Sequence, residues 1–199
     1  MRVDWRERYE RAAARYAAGE TRELDERQLV QLANSAWAAG LSLLMAGDRD
    51  QANGWLRRSA ERYHESWNAG EGTAWGRPIG AMKALLIAGE DAGDAARWAL
   101  EAGATEAESP IGRYAGLLAL LVLDRDEEAA EVAATLGKGF PGDVAKALAA
   151  LAGRDAARYR MAVASVRRSF EQQEAFLEDV PVCDTALALD VLAARRGID

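Results

Sequence analysis

The sequence predicts an all-α protein built from antiparallel helix pairs, and three observations carry that expectation. Half of the 199 residues are hydrophobic, with alanine and leucine dominant and the β-branched residues that favour strands sparse. Apolar residues recur at steps of three and four, and no segment alternates with period two. A similar turn then returns along the chain, each time ending one apolar stripe and starting another.

Taken in order, Trp5, Tyr9, Ala12 and Tyr16 form the first stripe, and Gly19 ends it. Asp25 stands three residues before Gln28, the spacing of a capping box in which each side chain satisfies an amide at the helix start. A helix over 26–46 follows, closed by Gly47. The next begins beyond Asp48 and carries Ala52, Leu56, Ala60, Tyr63 and Trp67 on one face. Residues 68–78, NAGEGTAWGRP, form the longest glycine-rich connection, which suits either a functional loop or a flexible linker. Shorter helices are expected over 79–88, 92–102, 111–123, 127–136 and 143–152, with Ser109-Pro110 as N-cap and first-turn proline. A long helix over 155–178 and a final one after Pro181, closed by Gly197, complete the chain.

The recurring turn is LLMAGDRD, LLIAGED, LLVLDRD and LAALAGRD: an apolar helix end, a break at Gly or Asp, and an acidic residue near the next start. The breaks at Gly47, Gly89, Asp124 and Gly153 lie 42, 35 and 29 residues apart. Such spacing suits helical hairpins, each of which must stack on neighbours to bury its apolar face. The first repeat resembles a tetratricopeptide unit: Gly40 lies seven residues before Gly47, Leu43 follows it, and Ala52 and Leu56 take the small and large positions of the second helix. Gly116 echoes Gly40 before the third turn. The resemblance implies a right-handed α-α superhelix of about ten helices and a peptide groove. The expected organisation is one repeat domain over 1–199, with an N-terminal helix in 1–24, hairpins over 25–178 and a capping helix over 179–199. The C-terminal SFEQQEAFLEDVPVCDTALALDVLAARRGI is similar to the ends of some prokaryotic helical-repeat proteins and to one family of immunity proteins that neutralise toxins.

The net charge of −7 argues against a general binder of nucleic acid or anionic membrane, since both need a basic footprint. Cys183 is the single cysteine, the charged N-terminus lacks a signal-peptide core, and no run of about 18 apolar residues exists; a cytoplasmic protein is expected.

No constellation passes a chemical check. Residues 137–142 match GxGxxG, but that loop binds dinucleotides between a strand and a helix, whereas here it follows a helix and contains Pro141. Glu61 and His64 form an ExxH, yet His64 is the only histidine, so neither a di-iron pair nor HExxH is completed. Cys183 has no base nearby in sequence and is expected to be a buried structural residue. Glu171, Glu174 and Glu178 fall along one expected helix as a solvated face, with Arg167 and Arg168 placed to pair with Glu171. Arg154, Arg158, Arg160, Arg167 and Arg168 cluster in sequence but do not share one helix face.

No cofactor or metal is therefore expected, and the leading function is a non-enzymatic scaffold or adaptor that binds a protein or peptide. In the tetratricopeptide register Trp37, Arg77 and Arg113 take equivalent concave positions; with Lys83 and Tyr114 they would form a groove for an acidic or C-terminal peptide, and Trp75 a loop contact. Inter-repeat salt bridges are the competing explanation for the arginines. The alternatives are an immunity-type protein, whose acidic surface suits a basic nuclease, and a helical enzyme or small-molecule binder with an enclosed pocket.

Overall fold

The computed structural model describes residues 3–20, 23–70, 74–137 and 139–198. Among them are ten α-helices, two 3-10 turns and no strand, in agreement with the all-α expectation. The chain divides into two compact units: residues 1–90 with 174–182, and residues 91–173 with 183–199.

The first unit holds α1 (Trp5–Gly19), α2 (Glu26–Met45), α3 (Arg49–Ala69) and α4 (Gly76–Ala88). Its centre is α2, buried along nearly its whole length from Leu29 to Leu43, with α1 and α3 packed on it and α4 packed on α3. The capping box forms as expected: Asp25 Oδ1 accepts from the Gln28 amide at 2.8 Å, and Gln28 Oε1 accepts from the Asp25 amide at 2.9 Å. Gly40 has the predicted role. A Cβ there would stand 2.7 Å from Leu56 Cγ and 3.2 Å from the Ala52 carbonyl oxygen, so only glycine lets α2 and α3 approach this closely. Ser59 Oγ donates to the Ala33 carbonyl at 2.9 Å across the same pair. On α1, Tyr9 and Tyr16 set their rings edge-on to Trp55, with centroids 6.2 and 5.3 Å away, and so cover the outer side of α3.

The second unit contains α5 (Gly93–Glu101), a 3-10 turn at Ala104–Glu106, α6 (Pro110–Val122), α7 (Asp126–Thr135), α8 (Gly142–Ala152), α9 (Ala156–Glu171) and α10 (Asp184–Arg195). Here α6 is the central helix. Its run from Tyr114 to Val122 is buried on every side, as an all-round apolar helix must be. Gly116 again marks a close approach, although a Cβ would meet the backbone of the 3-10 turn, 2.7 Å from the Thr105 nitrogen, rather than a facing side chain.

The four recurring turns share one hydrogen-bond pattern. Asp48, Glu90, Arg125 and Asp155 donate their amides to the carbonyls of Leu43, Leu85, Leu120 and Ala150 at 2.9–3.0 Å. The residue before each donor is left-handed: Gly47 (φ 85°), Gly89 (φ 76°), Asp124 (φ 56°) and Arg154 (φ 50°). This is the Schellman closure, which satisfies carbonyls that the helix itself leaves open. In the fourth turn the left-handed residue is Arg154, whereas Gly153 keeps φ −83°.

Two expected elements are corrected. The helix expected over 155–178 stops at Glu171; residues 174–182 belong to the first unit, where Glu178 pairs with Arg15 at 2.8 Å and the Asp179 carbonyl accepts from Arg8. Glu178 and Asp179 are both left-handed (φ 53° and 58°), which no helix tolerates. The glycine-rich connection is also shorter than expected, because α4 begins at Gly76 and takes Arg77 and Pro78 into its first turn. Its Glu71, Gly72 and Thr73 lie outside the described residues.

Candidate functional site

Four of the six predicted contact residues lie in the first unit, where two are structural aromatics. Trp37 is buried on α2, and Trp75, at the N-cap position of α4, is buried with its ring 5.8 Å from that of Trp67. Trp75 therefore anchors the start of a helix instead of projecting from a loop. Arg77 is buried as well. Its guanidinium pairs with Glu26 on α2 and donates to the Ser66 carbonyl on α3 at 3.1 Å, clamping α4 to both. The position expected to offer a cation to a peptide spends it inside the unit, as the salt-bridge explanation required. Lys83 is half-buried on α4 and is itself engaged.

Arg113 and Tyr114 lie in the second unit, at the start of α6. This start is built in layers. Ser109 caps it by accepting from the Gly112 amide at 3.1 Å, Pro110 fills the first turn, and Arg113 Nη1 donates to the carbonyls of Ala107 at 2.9 Å and Glu108 at 2.8 Å. Arg113 thus fixes the loop that leads into the helix. Tyr114, one turn beyond Pro110, packs against Phe140 with ring centroids 5.1 Å apart.

Beside that ring pair the surface opens into a groove of about 450 Å³ between the first turn of α6, the 139–141 loop, the first turn of α8 and the start of α10. Pro110, Ile111, Phe140, Pro141 and Val144 supply its apolar walls, and Thr185 its polar edge. Ile111 is 47% exposed, one of few large aliphatic side chains that the fold leaves open to solvent. A groove of this kind binds by burying a partner's apolar side chain, with the fixed Tyr114–Phe140 pair as a rigid wall. Among the expected contacts only Tyr114 lines it. Ile111, Phe140 and Val144 were not singled out in the sequence. Phe140-Pro141 did carry a signal: an aromatic inside a glycine-rich turn, the same feature that drew attention to Trp75.

The remaining candidates resolve into ordinary structure. His64 lies exposed on α3 and Glu61 one turn before it; no group of three or more metal-ligating side chains forms among the described residues. The GxGxxG segment lies where α7 gives way to α8, with Gly139 at φ 109° and Gly142 as the first residue of α8; Lys138 lies outside the described residues. Cys183 is half-buried at the N-cap position of α10, where a core position was expected. Glu171 closes α9, so Glu174 and Glu178 share no helix face with it, and Arg167 turns to Asp190 instead of Glu171. In the arginine cluster Arg154 pairs with Asp126 at 2.8 Å and Arg158 with Asp155 at 3.3 Å.

One ion cluster was not foreseen. Arg196, at the end of α10, has a side chain only 1% exposed. It donates to Asp126 at 2.6 Å and to the Leu121 carbonyl at 2.7 Å, pinning the C-terminal helix to the turn between α6 and α7. Burial pushes the Asp126 carboxyl up, but hydrogen bonds from Arg196 and Arg154 outweigh it and hold the group below its ordinary value.

Among the described residues no helix is long and apolar enough to cross a membrane. Compared with family models, curated proteins and solved structures, the chain matches none of them.

Proposed function

We propose that the protein is a helical-hairpin interaction module that receives an apolar segment of a protein partner in the groove beside Tyr114 and Phe140. The observation that carries this reading is the groove itself: a preformed, open apolar surface whose walls come from four separate parts of the second unit. Its rigidity supports the reading, because the α6 start is held by the Ser109 cap and by Arg113, so little ordering remains to be done on binding. The hairpins themselves are of tetratricopeptide type in this reading, supported by the shared Schellman turns and the Gly40–Leu56 approach. The acidic-peptide groove expected from the arginines is replaced, since Arg77 and Arg113 are committed to Glu26 and to backbone carbonyls.

A photoreactive side chain at position 111, introduced in the native host, tests this. It should give one dominant covalent adduct, whereas the same group at Glu61, exposed on α3, should give none. Val144→Asp, in the groove wall, should lower the yield at position 111 about tenfold while the far-ultraviolet dichroism stays native. Equal adducts at both positions, or a yield indifferent to Val144→Asp, contradict the assignment.

A further inference from the structure

A second surface of the same unit is independent of that groove. On a chain of net charge −7, α9 is cationic: it carries Arg158, Arg160, Arg167 and Arg168, and its one acidic residue is its last, Glu171. Arg158 precedes Met161 by three residues and Arg168 follows it by seven, so the three fall on one helical stripe, and all three are exposed. Met161 is 68% exposed, the largest exposure of any bulky apolar side chain among the described residues. Beside this stripe a channel of about 690 Å³ runs between α8 and α9, lined on the α8 side by Lys146, Ala149 and Ala150.

The two carboxylates that also line the channel are spent at the starts of their own helices. Asp143 Oδ1 accepts from the Val144 amide at 2.9 Å, and Asp155 Oδ1 from the Arg158 amide at 2.9 Å. Asp155 also lies 3.3 Å from Arg158 Nε, but that arginine side chain is 80% exposed, where such a pair is weak. Lys146 and Arg168 make no ion pair among the described residues. The face therefore sets uncompensated cations around an exposed apolar residue, on a molecule whose total charge turns acidic partners away from the rest of its surface. A polyphosphate would use the cations and leave Met161 in water. An acidic helix with an apolar stripe uses both, and the alanines of α8 let its backbone come close.

We infer that the α8–α9 face binds an acidic amphipathic helix of a protein partner, which sets an apolar side chain against Met161 and its carboxylates against Lys146, Arg158 and Arg168. Fluorescence anisotropy on the full chain tests this with three labelled probes. One is a helical peptide of about 20 residues whose leucine stripe is flanked by glutamates, the second has lysines for the glutamates, and the third is single-stranded DNA of about 20 nucleotides. The acidic peptide should bind with a Kd on the order of 10–100 μM, weakened about tenfold when salt rises from about 0.05 to about 0.5 M. Arg158→Glu combined with Arg168→Glu should abolish that binding, and Met161→Ser should weaken it about tenfold. Met45→Ser, at an exposed methionine of the first unit, should leave it unchanged. All these positions are exposed, so the far-ultraviolet dichroism should stay native, and none lines the groove beside Tyr114, so the outcome bears on this face alone. No binding of the acidic peptide up to about 1 mM overturns the inference. So does equal binding of the lysine peptide or of DNA, or binding indifferent to the double charge reversal.

Discussion

Among the described residues, each unit buries one arginine at the junction of its helices, and the two differ in what faces the charge. In the first unit Arg77 reaches Glu26, a carboxylate 41% exposed at the start of α2. In the second, Arg196 reaches Asp126, which is 15% exposed and already shared with Arg154. When one member of an ion pair stays wet, it returns to water once its partner is removed. When both are enclosed, the survivor stays out of water, here with only the exposed Arg154 left to face it, and the loss is larger. The same local device, an arginine tying helix ends together, is therefore a modest clamp in one unit and a lock in the other.

Removing each arginine tests this contrast most strongly. Arg196→Met should destabilise the protein by about 2–4 kcal/mol, because Asp126 keeps its charge with only Arg154 to face it and the Leu121 carbonyl loses its donor. Arg77→Met should cost about 1–2 kcal/mol, mostly through the Ser66 carbonyl left behind. Urea unfolding followed by dichroism measures both; equal losses would mean that the exposure of the acidic partner does not govern the cost.

The close-approach glycines give the next largest difference. At Gly40 an added methyl meets the Leu56 side chain at 2.7 Å and the Ala52 carbonyl at 3.2 Å, whereas at Gly116 its three nearest atoms are all backbone of the 3-10 turn, within 2.9 Å. Both alanine variants should fall in the overpacking range of about 1–3 kcal/mol, with Gly116→Ala the costlier in the same urea measurement.

A smaller effect is specific to the second unit. The Asp126 carboxyl is held below the ordinary aspartate value, so the unfolded chain takes up its proton first as the pH falls. Its stabilising contribution is fully present above that value and is lost as the pH drops below it, through the lowered folded value. The acid limb of a stability–pH curve should therefore be steeper in the wild type than in Asp126→Asn. Parallel acid limbs would remove Asp126 from the acid response.

Which parts of the structure were legible in the sequence follows from the range of the interactions that make them. Asp25 with Gln28, Ser109-Pro110, Gly47 and Gly89 act over a few residues, and the helix ends they mark fall where expected. The helix expected to reach residue 178 fails because its tail, QQEAFLED, has good local helix propensity, and what holds it out is Arg8, 171 residues away in the chain. Arg77 was misplaced for the same reason, since Glu26 lies 51 residues earlier. The fourth turn shows a subtler limit: Gly153 was the obvious left-handed residue, yet Arg154 takes that conformation and pairs with Asp126. Of the groove, Tyr114 was legible as an aromatic at a helix start. Ile111 and Val144 were not, because neither differs in sequence from the apolar residues that their helices bury.

The most direct measurement compares the two units in the presence of the crosslinked partner, once recovered. Amide hydrogen exchange should slow in 110–114 and 139–144 when the partner is added, while the first unit exchanges as in the free protein. Slowing confined to residues 1–90, with the groove segments unchanged, would contradict the assignment of binding to the second unit.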